Sequence, residues 1–522
     1  MKTLLRLAGL GSGWFLASAF LVLKTPVLRA GDWPQYRGPN HDGISSEIIR
    51  TNWSDAPPRQ IWKVPLDPGL SSVTVSGGKV FTQVRRPVNG QDQELCVALS
   101  ANTGQELWAT PLDIADYPNG GVGSDDGPRS TPSVDGTLVF VVTSYLKVAC
   151  LNAGDGHVEW SKDLVALYGS EVIAWQNAAS PLLEGGLLFM NCNAPGQRLL
   201  ALHEADGSEA WKGQDDPLTQ ATPIAATIAG IRQIVFFAQS GLVSVAPDSG
   251  SVLWRYPFPF SISTGASPVA SDNIVYCSAA YGMGAGAARI GQAGGELTAN
   301  QLWRTNGANM NHWATPVYLR GYVYGIYGQA GSTATLRCIE LATGTEMWRQ
   351  AGVGLGAVVS TTGLVLVLTE DGYLVLVQPD PTGYAEVARY RALDGSSSSI
   401  PGLPVKCWNV PAISNGRIYL RSTTEAVCLE VTPAGLAPLR LSGALSSGSL
   451  PFRLFVGTAD DSLLDSNRAA NIEVFGSSDL ALGPSGWFKL TNPIVLTNGQ
   501  LFLDDPQSQS LPQRFFRAQE RP

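Results

Sequence analysis

The side chains best suited to binding chemistry precede a repeated dipeptide, in which Ser or Thr is followed by Pro in most copies. Six clear copies run from Thr131-Pro132 to Val410-Pro411. Aromatic rings mixed with Arg, Asn, Gln and His are typical of a pocket for a planar or sugar-like polar ligand. The alternative is that these side chains only fill the space where the repeats converge. The candidate binding residues are Arg129, Trp175, Asn177, Gln220, His312, Trp313, Trp408 and Asn409.

Patterns typical of catalysis are weak in this sequence. Of the four histidines, His157 and His203 lie in or beside repeated turns, and His312 is the only contender for proton transfer. No Gly-x-Ser-x-Gly motif indicates a serine hydrolase. None of the seven cysteines lies in a Cys-x-x-Cys spacing, so zinc is unsupported and we interpret the cysteines as small buried apolar residues.

The elements that must position these candidates are repeats marked by tryptophan. A glycine followed four residues later by Trp recurs from Gly104 to Trp348, and the tryptophans are 43 to 52 residues apart. Such regular spacing favours packing between neighbouring units over a cofactor site. The structural tryptophans are Trp62, Trp108, Trp160, Trp211, Trp254, Trp303 and Trp348.

Each unit between the tryptophans reads as about four short strands. Runs such as Leu138–Val142 are β-branched and bounded by turn residues, as strands require. Four-stranded units at this spacing predict an all-β fold, a β-propeller of eight blades. The last unit lacks a Trp-bearing strand, and Trp62 precedes the first complete unit, so we expect the N-terminal strand to close the ring. The first strand of each blade lines the axis, which would gather the candidates at one channel mouth.

The N-terminal residues 1–30 resemble a secretory signal peptide, with Lys2 and Arg6 before an apolar stretch and small Ala30 at its end. We therefore expect an exported protein (periplasmic, cell-surface or secreted) without a membrane span in the mature chain. The net charge is −8 and, without the four bases of this stretch, would be −12. An acidic chain with no basic run is a poor partner for nucleic acid.

Composition changes after the last repeat. We assign residues 31–440 to the propeller, residues 441–450 to a Gly/Ser-rich linker and residues 451–522 to a small C-terminal all-β module. Within that module Asn498-Gly499 predicts a hairpin turn.

The Gly-x-x-x-Trp turns, the Ser/Thr-Pro strand starts and the opening Asp32-Trp-Pro-Gln-Tyr-Arg-Gly-Pro-Asn-His-Asp-Gly43 together resemble the pyrroloquinoline-quinone-like propeller repeat proteins. The resemblance covers roughly residues 32 to 432 and implies the propeller fold. This family contains quinone-dependent alcohol and sugar dehydrogenases and also non-enzymatic propellers, such as the outer-membrane-protein assembly propeller. The dehydrogenases carry an adjacent Cys-Cys pair, which this sequence lacks, and their calcium-binding Glu and Asn and catalytic Asp are not placed by any motif here.

These observations favour a non-catalytic, exported binding or scaffold propeller over an enzyme. We expect a monomer without a cofactor, whose partner is a protein or a small polar or carbohydrate ligand. The alternative is a pyrroloquinoline-quinone-dependent alcohol or sugar dehydrogenase, in which calcium polarises the quinone and a carboxylate acts as base.

Overall fold

The chain is built almost entirely of β-strands, as the sequence predicts. The computed structural model describes residues 31–117, 127–262, 264–361, 363–395, 405–433, 439–444, 452–459, 464, 469–478, 487–497, 500–506 and 514–520. The predicted signal peptide (residues 1–30) and the turn residues 498 and 499 lie outside this described part. No helix in the described ranges is long and apolar enough to cross a membrane.

Eight antiparallel sheets between residues 44 and 430 share one plan, in which strands follow one another outward from the axis. Sheet 1 contains Thr74–Ser76, Lys79–Val88, Gln91–Ser100 and Glu106–Ile114. Sheet 2 contains Ser133–Asp135, Leu138–Val142, Lys147–Asn152 and Val158–Asp163, and the helix Leu164–Tyr168 follows it. Sheet 3 contains Leu182–Glu184, Leu187–Asn191, Leu199–His203 and Glu209–Gly213. Sheet 4 contains Ile224–Ile228, Ile231–Ala238, Gly241–Val245 and Val252–Pro257.

The second half of the ring continues in the same way. Sheet 5 contains Val269–Ser271, Ile274–Ala279, Gly284–Ala293 and Glu296–Thr305. Sheet 6 contains Val317–Leu319, Tyr322–Tyr327, Thr335–Glu340 and Glu346–Gln350. Sheet 7 contains Ala357–Thr361, Leu364–Leu368, Tyr373–Val377 and Glu386–Arg391, with Ile44–Ser45 added in parallel to its first strand. Sheet 8 contains Ala412–Ser414, Arg417–Arg421 and Glu425–Glu430.

The N-terminal strand Arg59–Pro65 supplies the fourth strand of sheet 8. It pairs antiparallel with Glu425–Glu430, and Trp62 lies opposite Cys428. The first strands of sheets 1 and 8 also lie side by side, as do those of successive sheets from 1 to 7. The prediction of a β-propeller closed by its N-terminal strand is therefore confirmed, and closure leaves Glu425–Glu430 without an open edge.

The repeated tryptophans join neighbouring sheets. Trp211 is a typical case: its indole N–H donates to the Pro247 carbonyl at 2.8 Å, and its ring covers Gly250 in the next turn. Glycine is required there because φ is 68° and a Cβ atom would lie 2.5 Å from the ring. Trp254 differs, since its indole donates within its own sheet to Gln233, although its ring still packs against sheet 5.

The strand register explains where the cysteines lie. Cys150 pairs with Trp160, Cys338 with Trp348 and Cys428 with Trp62, whereas Ala98 and Ala201 occupy the same position opposite other tryptophans. A small side chain leaves room for the indole on the neighbouring strand. All seven cysteines are buried and unpaired, in agreement with their interpretation as small apolar residues.

The Ser/Thr-Pro segments and the equivalent segment Ser71-Ser72 before sheet 1 are linked by hydrogen bonds around the channel, which we call the hydroxyl chain. In each link a backbone N–H donates to the hydroxyl oxygen of the next segment. The links are Val410 to Ser72 at 2.8 Å, Ser72 to Thr131 at 3.0 Å, and Thr131 to Ser180, Ser180 to Thr222 and Ser267 to Thr315 at 2.9 Å each. This role gives a physical reason for Ser or Thr at the motif.

The opening motif crosses the axis as a series of turns and bends, which we call the axial segment (residues 33–45). The Pro34 carbonyl accepts from Val134 of sheet 2, and the Gly43 carbonyl accepts from Ser360 of sheet 7. Arg37 is fully buried and donates to the carbonyls of Thr315 and Pro316 at 2.9 and 2.8 Å. The segment therefore ties opposite sides of the ring together.

The C-terminal residues form two further sheets with their own apolar core. One sheet contains Leu439–Ala444, Phe452–Thr458, Gln500–Asp505 and Val495–Thr497, and the other contains Phe488–Lys489, Ile472–Ser477 and Phe515–Glu520. The strand Leu439–Ala444 corrects the predicted boundaries, because residues assigned to the propeller and to a linker pair instead with Phe452–Thr458. The module thus begins by residue 439.

Candidate functional site

A recess of about 440 Å³ opens where the first strands begin. This volume lies within the ~300–1,000 Å³ typical of small-molecule sites. The structure brings together six of the eight predicted residues as lining side chains: Arg129, Trp175, Gln220, His312, Trp313 and Trp408. The described lining also includes Tyr36, Ser72, Ile262, Tyr281 and Gln329.

Asn177 and Asn409 are not among the side chains that line the recess. Asn177 is buried and its side chain both donates to and accepts from the backbone of Ala179. Asn409 is buried and its amide donates to the Ser71 carbonyl at 2.8 Å. Asn409 lies at a bend, and its side chain turns away from the recess that its neighbour Trp408 lines. Both asparagines therefore hold the surrounding loops.

Four rings form one side of the recess, which we call the aromatic wall: Tyr281, His312, Trp313 and Trp408. Their centroids are 5.0, 4.4 and 4.5 Å apart in that order, with interplanar angles of 82°, 46° and 31°. Neighbouring rings are thus in contact and tilted, which leaves no slot between them. The wall offers a ligand a row of ring facets.

Two polar side chains are held by the same stretch of backbone in another part of the lining. Arg129 donates through Nη1 to the Trp175 carbonyl at 2.8 Å, and Gln220 donates to the carbonyls of Trp175 and Gln176 at 2.9 Å. Within the described chain, no carboxylate lies at ion-pair distance from Arg129. Its Nε and Nη2 edge is the edge that binds carboxylates with two parallel hydrogen bonds.

Two polar atoms of the aromatic wall lack hydrogen-bond partners. Among the described residues, nothing accepts from the indole N–H of Trp313 or bonds Nδ1 of His312, although both atoms are buried. Burial lowers the pKa of His312 to about 4, so the imidazole is neutral at pH 7. A buried polar group without a partner costs about 1–3 kcal/mol.

The lining does not fit the calcium that a quinone-dependent dehydrogenase requires. Calcium takes oxygen ligands, with carboxylates prominent among them. Among the described lining residues the oxygen donors are amides and hydroxyls, and there is no Asp or Glu. The nearby carboxylate of Glu370 accepts instead from the Trp408 indole and the Leu355 amide, at 3.3 and 3.2 Å. Over the described residues, no cluster of three His, Cys, Asp or Glu side chains could hold a metal ion.

Sequence reasoning missed lining residues that lie outside the repeat motif. Tyr36 comes from the axial segment. Tyr281 comes from the loop between the second and third strands of sheet 5, and Gln329 comes from the equivalent loop of sheet 6. The aromatic residue in the opening motif was a usable signal for Tyr36. The loop residues Tyr281 and Gln329 have no fixed offset from a repeat, so the sequence offers no signal for them.

A ring of four-stranded sheets, joined by tryptophan over glycine and by Ser/Thr-Pro links, defines the chain as a β-propeller, and its repeat resembles that of the pyrroloquinoline-quinone-like propellers. A family model described as outer membrane protein assembly factor BamB matches residues 91–319. BamB of Yersinia pestis is 23% identical over 348 residues, which are 62% of this chain and 79% of that protein. BamB of Moranella endobia (strain PCIT) is 23% identical over 298 residues, 54% of this chain and 59% of that protein.

Among solved structures, quinohemoprotein alcohol dehydrogenase from Comamonas testosteroni has a TM-score of 0.56 and 12% identity, over 80% of this chain and 83% of that one. At this identity the likeness shows the fold alone. The chain is thus a propeller that resembles BamB, and the predicted resemblance is confirmed.

Proposed function

We propose that the chain is an exported, non-catalytic binding propeller whose recess takes a ligand with flat ring faces and polar groups. The observation that carries the proposal is the aromatic wall, whose rings line the recess together with the polar side chains of Arg129 and Gln220. The matching relatives are named as assembly factors, which supports a scaffold role with a protein partner as well. The N-terminal pattern of residues 1–30 supports export to the periplasm or cell surface.

The proposal can be tested by screening sugars, quinones and peptides against the mature chain. Binding should raise the melting temperature and change tryptophan fluorescence, because Trp313 and Trp408 line the recess. Trp313→Ala and Arg129→Ala should each weaken binding of a ligand found in the screen about tenfold or more, while leaving the melting temperature nearly unchanged.

Phe488→Ala is the matched control, since this ring is 67% exposed in the C-terminal module. It should leave both binding and stability unchanged. If no compound shifts the wild-type melting temperature and both recess variants lose several degrees, the ring of side chains is packing and the proposal fails.

A further inference from the structure

The charge of the recess narrows the class of ligand. Arg129 is the only permanently charged side chain in the described lining, since His312 is neutral at pH 7 and none of these described residues is Asp or Glu. This is unusual for a chain with a net charge of −8. A guanidinium with no carboxylate partner among the described residues favours an anionic group on the ligand.

The position of Arg129 favours a carboxylate. Its Nη1 is fixed on the Trp175 carbonyl, which leaves the side-on edge of Nε and Nη2. Gln220 is fixed on the same carbonyl through its Nε2, so its Oε1 remains to accept a hydroxyl. A group bearing both a carboxylate and hydroxyls satisfies these two side chains together.

The aromatic wall favours a chain of separate rings over one fused planar ring. A fused planar ligand would lie flat on only one of the facets, because the angles between neighbouring rings are 31° to 82°. Pyranose rings joined by flexible bonds can each place a C–H face on a different facet. Their hydroxyls would then meet Gln220, Gln329 and Thr222 of the lining.

The hydroxyl chain disfavours an extended peptide. A peptide that binds as an added strand needs free backbone N–H and C=O groups along a strand. At this mouth the N–H groups of Ser72, Thr131, Ser180, Ser267 and Val410 already donate to hydroxyls of neighbouring segments. Recognition therefore depends on side chains, as in saccharide sites.

We infer that the recess binds an acidic oligosaccharide, with a uronate carboxylate on Arg129 and sugar faces along the aromatic wall. This inference rests on the proposed binding function.

The test compares trigalacturonate with its fully methyl-esterified form, which keeps the rings and removes the charge. Titration calorimetry on the mature chain should show the acid binding about tenfold tighter or better, the gain expected from a charge-assisted pair. Added salt should weaken binding of the acid and leave binding of the ester nearly unchanged. The Arg129→Gln variant should bind the acid and the ester with equal affinity. The Trp313→Ala variant should bind both more weakly than wild type. Phe488→Ala should behave as wild type.

Several outcomes would overturn the inference and leave the binding function intact. One is equal affinity of wild type for acid and ester. Another is that a quinone or a peptide binds and the trisaccharides do not, with Trp313→Ala weakening that binding. Failure of every screened compound would instead refute the binding function itself. Melting curves of Arg129→Gln and Arg129→Lys separate lost recognition from lost folding, because the lysine variant keeps the charge without the side-on geometry.

Discussion

Five of the seven repeated tryptophans cover a glycine of the next turn, where a Cβ atom would clash with the ring. Gly250 has φ of 68° and lies under Trp211, whereas Gly186 has φ of 80° and no atom within 4 Å of where a Cβ would stand. Gly250→Ala should therefore destabilise the chain by about 2 kcal/mol more than Gly186→Ala. Both substitutions place a side chain at positive φ, but only the alanine at position 250 would displace the Trp211 indole. Chemical denaturation of the two variants measures this difference. Equal losses would show that the ring adapts freely.

Trp211 itself should contribute more to the stability of the fold than its glycine partner. Its side chain is buried between sheets 3 and 4 and donates to Pro247. Trp211→Ala should lower the free energy of unfolding by roughly 3–5 kcal/mol, the usual range for a buried tryptophan. Denaturant titration with ligand titration in parallel checks this. Lost binding at unchanged stability would place Trp211 in a site and contradict its structural role.

A buried carboxylate makes stability depend on pH. Glu94 is fully buried, and its oxygens accept from Tyr117 Oη at 2.6 Å and the Ser144 amide at 2.9 Å. Burial raises the pKa of Glu94 from 4.5 to about 7, so the folded chain holds this proton more tightly than the unfolded chain. Between about pH 4.5 and pH 7 its contribution to stability therefore falls as pH rises, by up to roughly 3 kcal/mol.

Glu94→Gln should remove this part of the pH dependence. A glutamine can still accept from the Ser144 amide and donate to Tyr117, so the hydrogen bonds survive without the ionisable proton. Relative to wild type, the variant should gain stability at pH 7 and lose that advantage at pH 4.5, measured by denaturation across this range. The exposed Glu296→Gln is the control and should follow wild type. Parallel curves for Glu94→Gln and wild type would contradict the assigned pKa.

At the scale of elements, the N-terminal segment both closes the ring and crosses its axis. Deleting residues 32–66 removes the partner of Glu425–Glu430 and the axial contacts of Arg37. The exposed edge should drive association, so the truncated chain should aggregate or melt much lower. Light scattering after gel filtration and a melting curve measure this. A monomer with an unchanged melting temperature would refute the closure scheme.

The repeat could be predicted from sequence because its contacts use side chains at fixed offsets. Gly250 beneath Trp211 is one such pair, and Thr131 accepting from Ser72 is another. The axial segment could not be predicted, since Arg37 binds backbone carbonyls of Thr315 and Pro316, which any residues could supply. The candidate site was predictable to the level of which loops converge. Which side of the loop each residue faces, as for Trp408 and Asn409, needed the structure.

At the scale of the whole molecule, the apolar core divides after the last propeller strand. The C-terminal core contains residues such as Val456, Val474 and Leu503, and it is separate from the clusters of the propeller sheets, the largest of which ends at Val431. Ring closure joins Arg59–Pro65 to Glu425–Glu430 and the first strand of sheet 1 to that of sheet 8, all within the propeller. Each part thus has the buried core that independent folding requires.

Residues 31–433 alone should therefore keep the propeller. Without residues 434–522 the main melting transition should shift by only a few degrees, and binding in the recess should be unchanged, because every described lining residue lies between Tyr36 and Val410. Calorimetry of the full chain should show a second, smaller transition that the truncated chain lacks. Loss of the main transition on truncation would mean that the C-terminal module is part of the same cooperative unit, and a loss of binding alone would place part of the site on that module.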